Sequence, residues 1–162
     1  TCSGSVSCKN CYSGGLAGNN YGEIENCDCC CDFFGSIYHV GGIAGINNSH
    51  SIIRNCTYAG MLQSSKYGGI AGTNDGRISS CICNMLKNES ETPTDQGGGI
   101  VALNEQDGVV IACHNENFIS KNGNTGRIAA SNQGTLEGCT WRGSENERGV
   151  VKGNDTTLRL DV

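Results

Sequence analysis

The chain has 162 residues, of which 36% are hydrophobic, 25 are glycine and one is proline, and its formal net charge is −5. Its 11 lysine and arginine residues form no basic footprint of the kind that nucleic-acid binding needs, and no apolar run approaches the roughly 18 residues of a membrane span. Glycine that is abundant without proline is typical of many tight turns and close backbone contacts.

A repeated unit runs along the chain. Cys8–Cys11 (CKNC) resembles its closing segment, and the first full copy, Gly14–Cys27, reads GGLAGNNYGEIENC. Each copy begins with glycine, has an asparagine in its middle and ends at a cysteine, which we call the closing cysteine. The four later copies are Gly41–Cys56 (GGIAGINNSHSIIRNC), Gly68–Cys81 (GGIAGTNDGRISSC), Gly98–Cys113 (GGIVALNEQDGVVIAC) and Gly126–Cys139 (GRIAASNQGTLEGC). From Gly149 onwards, the chain resembles a degenerate copy of the segment that opens each repeat. A strand-like segment with alternating apolar and polar residues follows it.

Each copy predicts two short strands joined by an Asn- and Gly-containing turn, and no segment has helical periodicity. One copy cannot bury its apolar side alone, so the copies must stack. We therefore predict an all-β, right-handed parallel β-solenoid (β-helix) that forms one domain over residues 1–162. Its repeats are approximately 14–40, 41–67, 68–97, 98–125 and 126–148, with partial coils at 1–13 and 149–162. Because the chain starts at Thr1 without a signal-like segment, we expect it to be a fragment of a longer protein.

Stacking aligns equivalent residues of successive copies into three apolar columns. The first is Leu16, Ile43, Ile70, Ile100 and Ile128; the second is Ala17, Ala44, Ala71, Val101 and Ala129; the third is Ile24, Ile53, Ile78, Val110 and Leu136. The sequence leaves open which of the first two columns faces the interior.

Two polar columns are also predicted. The asparagines are expected to form a structural amide ladder, in which each side chain bonds to the next: Asn20, Asn47, Asn74, Asn104 and Asn132. The closing cysteines form the second column: Cys27, Cys56, Cys81, Cys113 and Cys139. Buried free thiols and disulfides between coils both fit this spacing.

The CDCCC segment at residues 27–31, with His39 nearby, also invites a zinc hypothesis. Alternation along a strand places Cys27, Cys29 and Cys31 on one face and Cys30 on the other, which divides the sulfurs between two faces. We therefore predict no metal site and no cofactor.

No catalytic residues are predicted, so the chain is not expected to be an enzyme. Cys113 and His114 are neighbours on a strand and point in opposite directions. Glu23 and Glu25 fit an ordinary solvated face. The candidate binding residues are aromatic, and they either stack on a ligand or cover the apolar edge of the solenoid: Phe33, Phe34 and Tyr38.

The segment Gly15-Leu16-Ala17-Gly18 resembles the GLUG repeat, with one residue fewer between its glycines and with Ile in place of Leu in most copies. GLUG repeats occur in large secreted or wall-anchored bacterial proteins, including adhesin-like proteins and non-catalytic parts of immunoglobulin A-specific metallopeptidases. The resemblance implies an extracellular or cell-surface module that acts as a rigid stalk or binding surface. The implied partners are neighbouring domains of the same chain and a host-surface protein or glycan. The alternative is a glycan-binding or glycan-active domain with a groove along one solenoid face.

Overall fold

The structure is a computed structural model. It describes residues 1–7, 11–34, 39–85, 96–116, 124–143 and 147–160. All regular elements within these ranges are β-strands; the same ranges contain no helix, and hence none that is long and apolar enough to cross a membrane. All paired strands described are parallel, which confirms the prediction of a parallel β-solenoid.

The strands are short, mostly two to four residues, and are numbered in chain order: β1 (Cys2–Ser7), β2 (Tyr12–Gly14), β3 (Ala17–Asn20), β4 (Glu23–Glu25), β5 (Asp28–Phe34), β6 (His39–Gly41), β7 (Ala44–Asn47), β8 (Ile52–Arg54), β9 (Thr57–Tyr58), β10 (Leu62–Gln63), β11 (Lys66–Gly68), β12 (Ala71–Asn74), β13 (Arg77–Ser79), β14 (Ile82–Cys83), β15 (Gln96–Gly98), β16 (Val101–Asn104), β17 (Val109–Ile111), β18 (His114–Asn115), β19 (Thr125–Gly126), β20 (Ala129–Asn132), β21 (Thr135–Glu137), β22 (Thr140–Arg142), β23 (Val150–Gly153) and β24 (Leu158–Leu160).

These strands form four parallel sheets, one for each side of the coil. Sheet A has the order β1-β5-β9-β14-β18-β22-β24, with β10 also paired to β5. Sheet B has the order β19-β15-β11-β6-β2, sheet C has β23-β20-β16-β12-β7-β3, and sheet D has β21-β17-β13-β8-β4. Asn20 is in register with Asn47, and this pairing continues copy by copy to Asn132, so four complete turns separate these two residues.

Both of the first two apolar columns face the interior. Ile70 and Ala71 each have 0% of their surface exposed, since the isoleucine lies at the corner between sheets B and C and the alanine begins sheet C. The first copy is the exception, because Leu16 is 41% exposed and Ala17 is only partly buried. Sheets B, C and D all end at strands of this copy, whereas only sheet A continues to β1. The first coil therefore has no complete neighbour on that side among the described residues.

The two glycines that open each copy have different packing roles. A Cβ atom at Gly68 would overlap the carbonyl oxygen of Ala71, which makes the first glycine a requirement of the tight corner. A Cβ at Gly69 would overlap the Sγ atom of Cys83, an inward side chain of sheet A. The second glycine therefore makes room for whichever side chain sheet A directs into the coil.

A second corner, between sheets D and A, uses the left-handed backbone conformation. One residue per copy has a φ between 50° and 59°: Asn26, Asn55, Ser80, Ala112 and Gly138. Asparagine and glycine adopt this conformation at low cost, while alanine does so with strain. The backbone turns at this residue, and the closing cysteine follows it directly in the sequence.

The expected register of the N-terminal segment was wrong. Cys2 is in register with Cys29, so β1 already belongs to sheet A, and Tyr12 is in register with His39 in sheet B. Cys11 therefore precedes a strand of sheet B and does not occupy the closing position of a copy, while Cys8 lies outside the described residues. At the other end, β23 extends sheet C and β24 extends sheet A.

Candidate functional site: two polar columns and a three-thiol cluster

The amide ladder is present. The Nδ2 atom of each asparagine donates to the Oδ1 atom of the next over 2.8–2.9 Å, from Asn20 to Asn132. The Nδ2 of Asn132 then donates to the carbonyl oxygen of Asn154 at 2.9 Å. Asn47, Asn74 and Asn104 are fully buried, so the ladder satisfies polar groups that water does not reach. Its role is structural, as the sequence predicts.

The thiol column consists of Cys27, Cys56, Cys81, Cys113 and Cys139, which directly follow the left-handed corner between sheets D and A. Its last four members are buried, whereas Cys27 in the first coil is partly exposed. Each buried thiol contacts the carbonyl oxygen two residues before it; the distance from Cys56 Sγ to the Arg54 oxygen, for example, is 3.2 Å. Hydrogen bonds from the thiols of Cys113 and Cys56 lower the pKa of Cys81, while bonds to its neighbours and burial raise the pKa of Cys113.

Free thiols dominate the described part of the chain. Ten cysteines are free, and Cys11 is disulfide-bonded. A disulfide framework along the thiol column is therefore absent. Cys30 is exposed, as strand alternation predicts, and it is the most accessible of the free thiols.

A third group of cysteines forms a cluster that the sequence analysis missed. The Sγ atoms of Cys2, Cys29 and Cys31 all lie within 4.8 Å of one another, and those of Cys2 and Cys31 are 3.3 Å apart. Cys29 and Cys31 are inward residues of β5, and β1 places Cys2 beside them. We call this group the three-thiol cluster.

The surroundings of the cluster disfavour the thiolate forms of Cys29 and Cys31 and hold the cluster in place. Burial raises the pKa of Cys29, and burial together with a hydrogen bond to Cys2 raises the pKa of Cys31 to about 12. The Cys2 thiol also contacts the carbonyl oxygen of Gly15 at 3.2 Å. The hydroxyl of Tyr58, from the next coil, donates to the carbonyl oxygen of Cys31 at 2.9 Å and holds this part of β5.

The aromatic binding candidates are separated by strand alternation. Phe33 is fully buried and packs in the core, so its ring covers the interior and is not presented to solvent. Phe34, the next residue, is 36% exposed at the end of β5. Tyr38 lies outside the described residues.

The titratable residues that the sequence analysis considered are engaged in surface contacts. Arg54 Nε is 2.6 Å from a carboxylate oxygen of Glu25, and its Nη2 is 3.6 Å from Glu23, so these carboxylates share one guanidinium. His114 contacts Glu116 and Thr140 through its two ring nitrogens, at 2.6 and 2.7 Å, and its strand neighbour Cys113 points into the core.

A shallow depression of about 410 Å³ lies over the corner that leads into sheet D. Its lining is polar and aliphatic and contains no Phe, Tyr or Trp side chain: Ser49, His50, Ser51, Ile52, Asp75, Gly76, Arg77, Asp107 and Val109. Side chains from three successive coils therefore contribute to this surface.

The missed cluster had one weak signal in the sequence. Cys2 opens the segment Cys2–Ser7 (CSGSVS), in which serine alternates with glycine and valine, and this pattern fits a strand of sheet A as well as a tail. Only the pairing of β1 with β5 brings Cys2 to the two inward sulfurs, because Cys2 lies 27 and 29 positions before Cys29 and Cys31 in the chain.

Comparison with known proteins adds no relative to these observations: no protein-family model matches the chain, and neither a curated protein nor a solved structure matches it.

Proposed function

We propose that the chain is a non-enzymatic structural and adhesive module of a secreted or cell-surface bacterial protein, where it acts as a rigid stalk or binding surface. The observation that carries the proposal is the contrast between inward and outward positions of the repeat. In sheet D the inward position holds an aliphatic residue in all five copies: Ile24, Ile53, Ile78, Val110 and Leu136. The outward position before it holds acidic, aliphatic, basic and hydroxyl side chains in different copies: Glu23, Ile52, Arg77, Val109 and Thr135.

This contrast means that the repeated residues build a scaffold. A function that needed the same side chain in each coil would repeat an outward residue, whereas here only core, corner and ladder positions recur. Successive coils are joined by backbone hydrogen bonds in four sheets and by the amide ladder. A stack connected in this way resists bending, which suits a stalk, and it offers flat outward faces that vary along their length, which suits surface binding.

The extracellular location and bacterial source in the proposal rest on the resemblance to the GLUG repeat. The thiols are compatible with that location, because seven of the ten free cysteines are buried and thus shielded from oxidants. The proposed partners are neighbouring domains of the same chain and a host-surface protein or glycan.

The alternative is a glycan-binding or glycan-active domain. Glycan-processing grooves on solenoids need carboxylates near stacked rings, and the depression over the corner into sheet D has two aspartates, Asp75 and Asp107, but no Phe, Tyr or Trp ring. Phe34 is an exposed ring at another corner of the coil. The described surface therefore favours adhesion over glycan chemistry.

Two measurements on the folded protein test the proposal. On arrays of glycans and extracellular-matrix proteins we expect saturable binding that weakens with Phe34→Ala and is unchanged by Tyr21→Ala, which removes an exposed ring from a different corner. In polysaccharide digests followed by reducing-end assays we expect no release of sugar. Time-dependent release that is lost with Asp75→Asn would overturn the proposal in favour of the glycan-active alternative.

A further inference from the structure

The three-thiol cluster brings three sulfur atoms together inside the first coil. Strand alternation turns Cys29 and Cys31 inward from β5, and the parallel pairing of β1 adds Cys2 from the neighbouring strand. Every pair of these sulfurs is within 4.8 Å, and the described residues place no fourth cysteine, histidine or carboxylate ligand atom within the same distance of all three.

This arrangement differs from the thiol column in a way that matters for binding. The column holds one sulfur per coil, and coils repeat at about 4.8 Å, so three successive members span about 10 Å. One ion cannot contact three sulfurs in such a row. Sulfurs that surround an ion with bonds of about 2.3 Å in a plane lie about 4 Å apart, which the cluster approaches.

We propose that Cys2, Cys29 and Cys31 bind one thiophilic metal ion in three-thiolate coordination, and that Cu(I) is the ion that fits best. Thiolate ligands select Cu(I), zinc and iron–sulfur clusters among biological metals. Structural zinc is held by four protein ligands in a closed tetrahedron, and a three-sulfur set leaves that tetrahedron incomplete. Cu(I) accepts three sulfurs in a plane as a complete coordination shell.

The immediate surroundings provide space, support and access. Gly15 faces the cluster, and a Cβ at this position would overlap the Sγ of Cys29, so the glycine leaves the volume that the sulfurs occupy. Tyr58 fixes the carbonyl group of Cys31, which holds the ligand strand from outside the coordination shell. Cys2 is only partly buried, so one ligand residue of the cluster is in contact with solvent.

Binding requires no change in oxidation state. The ion enters as Cu(I), three S–Cu bonds form, and the thiol protons leave to bulk water. The same three sulfurs could alternatively be explained by a simple Cys2–Cys31 disulfide. That bond needs only two cysteines, however, and would leave the convergence of Cys29 without a role.

The test is an anaerobic titration of the reduced full chain with Cu(I), supplied as its acetonitrile complex in competition with a chromogenic Cu(I) chelator. We expect one tightly bound equivalent, an X-ray absorption spectrum with three sulfur neighbours, and a rise in the thermal midpoint of unfolding. Cys2→Ala, Cys29→Ala and Cys31→Ala should each weaken binding by more than about 100-fold, since losing a ligand exceeds the 10–100-fold effect of losing an outer contact. Cys30→Ala is the matched control: it removes an exposed thiol from the same strand and should leave affinity unchanged.

Two results would overturn the assignment. Equal losses for Cys30→Ala and Cys29→Ala, at preserved circular dichroism, would mean that copper binds surface thiols at random. Rapid formation of a Cys2–Cys31 disulfide that excludes the ion, detected by peptide mapping after brief exposure to air, would mean that the cluster is a redox pair. If Cys29→Ala or Cys31→Ala fails to fold, the affinity of Cys2→Ala for Cu(I) still tests the proposal, because Cys2 is the least buried of the three cysteines.

Discussion

The amide ladder makes a quantitative prediction at its centre. Asn74 is fully buried; it donates to the Oδ1 of Asn104 at 2.8 Å and to the carbonyl oxygen of Gly76 at 3.1 Å, and it accepts from the Nδ2 of Asn47 at 2.8 Å. Asn74→Ala removes all three bonds and withdraws a ladder partner from both neighbouring asparagines. Each buried polar group left without its partner costs about 1–3 kcal/mol, so we expect a loss of about 4 kcal/mol in the free energy of unfolding.

The end of the ladder supplies the control. Asn20→Ala also removes a ladder bond, together with bonds to Gly22 and to the carbonyl oxygen of Ile52. The Oδ1 of Asn47, however, still accepts from the hydroxyl of Ser51 at 2.8 Å, Gly22 is exposed to water, and Ile52 is only partly buried. The expected loss is therefore only about 1 kcal/mol. Urea unfolding followed by the fluorescence of Trp141, the single tryptophan, measures both variants. Losses that agree within about 0.5 kcal/mol would refute the argument that burial within the stack sets the cost.

Three further outcomes are expected. Ile70→Ala should lower the free energy of unfolding by about 2–5 kcal/mol, because the side chain is fully buried between coils. Leu160, on the last strand, is 37% exposed, so Leu160→Ala should lower it by less than about 1 kcal/mol in the same denaturation assay. Equal losses would argue against a stacked core. Ala112→Gly should raise the free energy of unfolding by about 0.5–1 kcal/mol, because glycine adopts the φ of 50° without strain. Gly138→Ala should lower it by about 1 kcal/mol, because alanine is strained at the φ of 59°. Changes of the same sign in the two variants would contradict the strain argument. With iodoacetamide and mass spectrometry, Cys30 should be alkylated first and the four buried members of the thiol column only after unfolding; early labelling of the column would show that the coils separate readily.

The fifth copy shows how one substitution in the repeat requires another. Arg127 stands where the other copies have their second glycine, and it is 2% exposed. Its guanidinium pairs with Glu147 and lies 5.9 Å from the ring centre of Trp141, the sheet A residue that faces this position. A large side chain is therefore accommodated near the end of the stack by an ion pair and an aromatic face, where the inner copies need a glycine.

The repeat alone determined the architecture of this protein. Stacking places equivalent residues of successive copies one above another, so a 27-residue period with one asparagine per copy already implies parallel strands and an amide ladder, and both are present. The same reasoning placed Ile78 in the core and Cys30 on the surface, because alternation along a strand depends only on local geometry.

The tertiary structure decided what the period does not specify. Both of the first two apolar columns are inward because a corner between sheets B and C, and not a continuous strand, separates Ile70 from Ala71. Phe33 is core and Phe34 is surface because β5 continues in register beyond the cysteines. The three-thiol cluster exists only because β1 pairs with β5, a contact between segments at the irregular end of the chain where the repeat gives no register. Repetition predicts contacts between residues that are in register. Cys2 is in register with Cys29, so its contact with Cys31, two residues further along β5, does not follow from the repeat.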